Sequence, residues 1–176
     1  ESAQFAVWDI ELASLEFLER YDDNYPVDWV YWDRVDSNLI HTIHDSIDIT
    51  SGERTVRLRP NQRDDFYRGQ VTAFAVSNSS QMTVASGIPG IVKIYNESTL
   101  EVISTIDIGL TDRSYIADLS WSSDDRHIAA VTTSGAIFVY EIERRIPIQY
   151  FLPDILLAVD WVPFSNQLTV GGITRA

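Results

Sequence analysis

Acid–base hydrolysis by carboxylates needs two acids held at a fixed separation, and three adjacent acidic pairs occur here, Asp22-Asp23, Asp64-Asp65 and Asp124-Asp125. All three fall among turn residues. Asp is a normal turn former because its side chain bonds nearby backbone, so the pairs read as turn chemistry. His41 and His44 form an HxxH spacing beside Asp45 and Asp48. Residues three apart share a helix face but point to opposite faces of a strand, and this stretch reads as strand, so no metal site is expected. With His127 the only other histidine, a catalytic triad has little material. No G-x-S-x-G elbow, phosphate loop or H-E-x-x-H occurs, and no cofactor is expected. Two glycosylation triplets, Asn78-Ser79-Ser80 and Asn96-Glu97-Ser98, read as turn chemistry as well.

Arginine is the feature that stands out. Lys93 is the sole lysine, and Arg54, Arg57, Arg59, Arg63 and Arg68 crowd one short stretch of a chain with 26 acidic against 13 basic side chains. Guanidinium forks bind carboxylate or phosphate bidentately. Arg and Tyr are favoured at binding hot spots. The expected partner-binding residues are Arg63, Arg68, Arg113 and Tyr115, a basic spot that would dock an acidic or phosphorylated segment. The competing reading pairs these arginines with Glu53, Asp64 and Asp65.

The net charge of −13 disfavours direct binding to nucleic acid, which needs clustered cations that outnumber the carboxylates. Cysteine is absent, so disulfides, thiolate metal sites and cysteine nucleophiles are excluded. Apolar runs such as Ile155 to Val159 are far shorter than the roughly 20 residues of a membrane-spanning helix, and no membrane insertion is expected. The N-terminus lacks the pattern of a signal peptide. The chain reads as excised from something longer and as intracellular, cytoplasmic in preference to nuclear.

The elements that must position these residues come from an internal repeat. Val71 to Asn96 aligns without a gap on Ile116 to Glu141 at an offset of 45, matching Ser77 with Ser122, Ala85 with Ala130, Gly90 with Gly135 and Tyr95 with Tyr140. Each unit divides into short apolar runs separated by turn residues, the pattern of a strand meander. First strands end at Val76 and Trp121, second strands run over 82–86 and 127–131, and Gly90 and Gly135 bend the chain into third strands over 91–95 and 136–140. The third strands are apolar on both faces, which implies a sheet covered on both sides. Fourth strands follow over 100–106 and 148–152. The template continues through Leu156 to Gly172 at an offset of 40 and through Val27 to Ile40 at an offset of 89. Phe5 to Asp9 and Ser14 to Leu18 echo a third and a fourth strand. A helix over Glu11 to Tyr21 is the alternative there, on propensity. The expectation is an all-β chain of 16 strands, in segments 1–21, 27–59, 71–106, 116–152 and 156–176.

This arrangement resembles the WD-repeat β-propeller family, with degenerate repeats. The carrying residues are Val7-Trp8-Asp9, Lys93-Ile94-Tyr95-Asn96 and Phe138-Val139-Tyr140-Glu141 at third-strand ends, and Leu119 to Arg126 at a first-to-second strand turn. Tyr95 and Tyr140 stand where the family has Trp, and no Gly-His pair precedes a unit. The resemblance implies a β-propeller of four-stranded antiparallel blades around a channel, about four blades' worth. A seven-bladed ring at this period takes about 315 residues. A partial ring is therefore expected, completed by flanking sequence or a partner chain; a closed four-bladed ring is the alternative.

The resemblance implies a non-catalytic protein–protein interaction scaffold, part of a larger complex, since binding in this architecture lives in varied loops on a constant core. Two other readings stay open. A propeller enzyme would draw on the channel-side acids Asp28, Asp118 and Asp160, and a ubiquitin-ligase substrate receptor would want Arg where Glu11 follows Trp8-Asp9.

Overall fold

The structure, a computed structural model, describes residues 3–9, 14–21, 30–32, 36, 38–42, 45–56, 71–79, 81–87, 90–96, 98–99, 101–110 and 114–174. They form 16 strands and no helix, and the chain divides into two compact units, Glu1–Arg59 and Pro60–Ala176. Among them no helix is long and apolar enough to cross a membrane.

In the first unit, β1 (Ala3–Asp9) and β2 (Ser14–Tyr21) pair antiparallel as a two-stranded sheet, so 14–21 is strand and not helix. The strands β3 (Val30–Trp32), β4 (Leu39–Thr42), β5 (Asp45–Asp48) and β6 (Arg54–Val56) form a four-stranded antiparallel meander. Ile40 is buried in it. At the β5–β6 turn the Asp48 carboxylate accepts the N–H groups of Thr50 and Ser51 at 2.8 and 2.9 Å. Those bonds, Ser51 first, hold its carboxyl below the usual carboxylate range.

The second unit repeats the meander. One sheet holds β7 (Val71–Val76), β8 (Met82–Gly87), β9 (Ile91–Asn96) and β10 (Val102–Asp107). The next holds β11 (Ile116–Trp121), β12 (His127–Thr132), β13 (Ala136–Glu141) and β14 (Pro147–Phe151). A two-stranded sheet of β15 (Ile155–Trp161) and β16 (Leu168–Ile173) follows. Among the described residues all pairings are antiparallel between sequence neighbours and no sheet closes on itself. In this unit each first strand carries a register shift at the same place, between Val71 and Ala73, Ile116 and Asp118, and Leu156 and Ala158. The extra residue is a bulge, which breaks the period of two. It explains why Ile116 and Leu119, an odd number of residues apart, enter one cluster with Trp121.

The middle sheet has no polar face. Ile128, Ala130, Phe138 and Tyr140 pack with Ala73, Ala75, Val92, Ile94 and Ile106 of the preceding sheet. Ala129, Val131 and Ile137, on the opposite face, pack with Leu156, Val159 and Trp161 of the following one. The three sheets therefore stack face to face. Full burial of each large apolar side chain contributes roughly 1.5–3 kcal/mol.

Gly90 and Gly135, the expected bends into the third strands, have φ of 93° and 95°. In this left-handed region a Cβ is strained. A Cβ on Gly135 would also clash with the Leu152 carbonyl oxygen, whereas one on Gly109, at φ of 64°, would meet nothing within 4 Å. Gly135→Ala is thus expected to lose about 1 kcal/mol or more beyond the loss from Gly109→Ala, because its φ lies outside the left-handed α well that Gly109 occupies and its Cβ would clash as well. Urea denaturation of the two variants checks this; equal losses would contradict the close approach.

Candidate functional site

Each junction in the stack begins with a tryptophan. The first strand's last residue places an indole against the preceding sheet. There Trp121 Nε1 donates to the Ala75 carbonyl at 3.3 Å and Trp161 Nε1 donates to the Ser120 carbonyl at 3.2 Å. Ala75 and Ser120 are equivalent under the repeat offset of 45, so both junctions use one bond at one place. A buried indole N–H needs such an acceptor.

Acidic side chains add the second set of links. Asp125 sits at φ of 57° in the β11–β12 turn. It accepts the Asn78 N–H at 2.6 Å, the Asn78 amide at 3.2 Å and the Ser79 N–H at 2.9 Å. Asn78 Nδ2 also donates to the Ser122 carbonyl at 2.7 Å. One turn further, Phe164 N–H donates to Ser123 Oγ at 3.1 Å. Asp124 stays local: it accepts the Ser122 hydroxyl and the Arg126 N–H, and these bonds, Ser122 first, lower its pKa. The pair Asp124-Asp125 thus does turn chemistry, as expected, and its second member also joins two sheets. Asn96 caps its own turn, its Oδ1 accepting the Ser98 and Thr99 N–H groups at 3.0 and 2.9 Å.

Of the acids suggested for a channel-side site, Asp28 lies outside the described residues, as do Asp22, Asp23, Asp64, Asp65 and His44. Asp118 and Asp160 border one hollow with Val159, Thr169 and Gly171. Asp118 accepts the Leu119 N–H and, across the junction, the Val159 N–H, both at 2.9 Å. Asp160 accepts the Trp161 N–H and the Ser120 hydroxyl, each at 2.9 Å. Burial raises the Asp118 carboxyl above its ordinary range, against the pull of those N–H groups, and the nearby Asp160 charge adds to the rise. Chemically the arrangement is a brace: each carboxylate takes one donor from its own strand and one from the neighbouring sheet. No group of three or more His, Cys, Asp or Glu suited to a metal occurs among the described residues.

Of the expected partner-binding residues, Arg63, Arg68 and Arg113 lie outside the described residues, as do Arg57 and Arg59. Tyr115 is 44% exposed. Its N–H donates to Thr133 Oγ1 at 3.3 Å and its carbonyl accepts the Thr133 N–H at 3.1 Å. The loop entering a first strand therefore lies at the same end of the sheet as the second-to-third strand turn.

One surface had no sequence forecast. In the register, Ile106 pairs with Val92 as Tyr150 pairs with Ile137, yet Ile106 is 7% exposed and Tyr150 57%. The first position lies under the next four-stranded sheet; the second lies beyond the reach of the two-stranded one. Ile146 and Ile148, four and two residues before Tyr150, are likewise exposed. They border a groove of about 320 Å³ with Val139, Arg144, His127 and Trp161. The His127 ring stands 5.8 Å from the Trp161 ring, tilted by 46°. The alternation of Ile146, Ile148 and Tyr150 was visible in the sequence, but not which face would go uncovered.

Comparison with protein-family models and with curated proteins gives no match to the chain.

The two perturbed acids of this region titrate with opposite sign. Asp118 has a raised folded pKa, so the native state holds its proton more tightly, and stability falls as pH rises from the ordinary Asp value of about 3.9 through the raised one. Asp124 has a lowered folded pKa, so its contribution is full above the ordinary value and is lost as pH falls through the lowered one. Thermal midpoints measured against pH are expected to show wild type losing ground to Asp118→Asn on going up in pH, and to Asp124→Asn on going down. The reverse order for Asp118 would contradict its burial.

Proposed function

We propose that the chain is a segment of a WD-repeat-type β-propeller and serves as a protein–protein interaction scaffold within a larger assembly, with no reaction of its own. The observation that supports this reading is the stack itself. Two successive junctions repeat the same indole-to-carbonyl bond, which is how identical blades would follow one another around an axis. The acids of the junctions act as acceptors for neighbouring N–H and O–H groups, a structural use.

Binding is assigned to the two rims, because loops and turns vary there while the core repeats. On one rim Phe164 is 96% exposed in a turn with φ of 57°. An aromatic side chain in that setting suits a hot spot better than a core. The opposite rim carries Tyr115, and Arg63, Arg68 and Arg113 are proposed to join it in docking an acidic or phosphorylated segment of another protein. A net charge of −13 with no cysteine fits protein partners in the cytoplasm better than nucleic acid.

The test is a double charge reversal, Arg63→Glu with Arg68→Glu, in the tagged full chain, followed by cross-linked pull-down from the native cells and mass spectrometry. Recovery of an acidic or phosphorylated partner is expected to drop at least tenfold with an unchanged thermal midpoint. Unchanged recovery would reject the arginine surface, and a chain that catalyses turnover lost on Asp118→Asn would reject the scaffold.

A further inference from the structure

Two turns that join a third strand to a fourth are built alike. At the β9–β10 turn the Asn96 N–H donates to the Glu101 carbonyl at 2.9 Å, and Asn96 Oδ1 accepts the Ser98 and Thr99 N–H groups. At the β5–β6 turn the Asp48 N–H donates to the Glu53 carbonyl at 2.9 Å, and the Asp48 carboxylate accepts the Thr50 and Ser51 N–H groups. The sequences match place by place, Asp48-Ile49-Thr50-Ser51-Gly52-Glu53 and Asn96-Glu97-Ser98-Thr99-Leu100-Glu101. In each, a hydroxyl stands three residues before a glutamate. At the offset of 45 the middle sheet has Glu143 where the earlier sheet has Ser98, and Glu143 is exposed.

A hydroxyl three residues ahead of an acid is what acid-directed protein kinases read, because cationic side chains of the enzyme clamp the carboxylate while the hydroxyl meets the nucleotide. That spacing occurs at Thr42, Thr50, Ser98, Ser104 and Ser122, and the fold separates them. Ser122 is buried, with its hydroxyl donated to Asp124. Thr42 and Ser104 stand inside paired strands. Thr50 and Ser98 are exposed turn residues. Of these two, Ser98 lies between Glu97 and Glu101 with no cation beside it in sequence, whereas Arg54 follows Glu53. Glu101 is itself exposed. The Ser98 hydroxyl donates to Asn96 Oδ1 at 2.8 Å, and the two N–H bonds to that oxygen keep the turn closed when the hydroxyl proton is gone.

We propose that Ser98 is a phosphorylation site, modified by an acid-directed protein kinase that recognises Glu101. The Ser98 oxygen bonds to the γ-phosphorus of a nucleoside triphosphate, the bond from that phosphorus to the leaving diphosphate breaks, and the hydroxyl proton passes to the kinase's base. The product adds about −1.5 to −2 charge at neutral pH, at the turn position that Glu143 keeps acidic in the next sheet. Because Glu101 is exposed, its repulsion with the phosphate is screened, and the modification changes the charge of a rim without opening the sheet. This assignment stands whether or not the rims dock another protein.

The test incubates the full chain with magnesium ATP and a purified acid-directed serine kinase and locates the phosphate by mass spectrometry. Ser98→Ala and Glu101→Gln, both changes of exposed side chains, are treated alike, with thermal melts to show that they fold. Phosphate is expected on Ser98 of the unmodified chain, roughly tenfold less on Glu101→Gln, and none in the β9–β10 turn of Ser98→Ala. The chain isolated from its native cells under phosphatase inhibition is expected to carry the same group. No phosphate on Ser98 in either setting would overturn the proposal. Equal labelling of a folded Glu101→Gln would overturn the recognition of that acid, and labelling that goes first to Thr42, Ser104 or Ser122 would overturn the selection by the fold.

Discussion

A sheet that is apolar on both faces cannot stand in water, and the sheet of β11 to β14 is such a sheet. Its even-numbered positions on β12 and β13 go to one neighbour and its odd-numbered positions to the other. Hydrophobic burial alone would let the sheets slide, because it has no direction. The directional part comes from groups at the ends of the first strands. The indoles of Trp121 and Trp161 each find a carbonyl one sheet back, and Asp118 and Asp125 each accept donors across a junction. Such bonds contribute roughly 0.5–1.5 kcal/mol each when neutral and about 1.5–3 when charged. They also exclude every other register.

The same geometry explains where the surface is unusual. A four-stranded sheet under a two-stranded one leaves its outer strand uncovered, so β14 is exposed along its length while β10, at the same place one sheet earlier, keeps Ile106 buried. Exposed apolar strands next to an unpaired edge are surfaces that proteins use for association. The proposed functions follow from this arrangement, since a constant core fixes where the variable turns and open edges appear.

Much of the fold was legible in the sequence. The offset of 45 between Val71–Asn96 and Ile116–Glu141 predicted the meander. Gly90 and Gly135 marked the bends, and β13 was recognisable as buried on both faces because it lacks polar alternates, whereas in β9 Lys93 interrupts the apolar run and is only half-buried. The bulges at Thr72, Ala117 and Leu157 were not foreseen, although the spacing of Ile116, Leu119 and Trp121 carried the signal. The site was less legible. Asp125 reads as a turn residue, and nothing local tells that its carboxylate reaches Asn78 across a junction. The uncovered stripe could not be read at all, because exposure depends on how many strands the neighbouring sheet has. The arginine surface rests on residues largely outside the described ones, so its test is chemical.

Directional links across the junctions hold the stack in one register. Amide hydrogen exchange read by NMR tests it most directly, through three N–H groups that donate to carboxylates across junctions: Val159 to Asp118, and Asn78 and Ser79 to Asp125. All three are expected to exchange as slowly as the ladder amides of β12 and β13 and to lose protection together with them. Fast exchange at these three while the ladders stay protected would show sheets that pack without the links, and would contradict it.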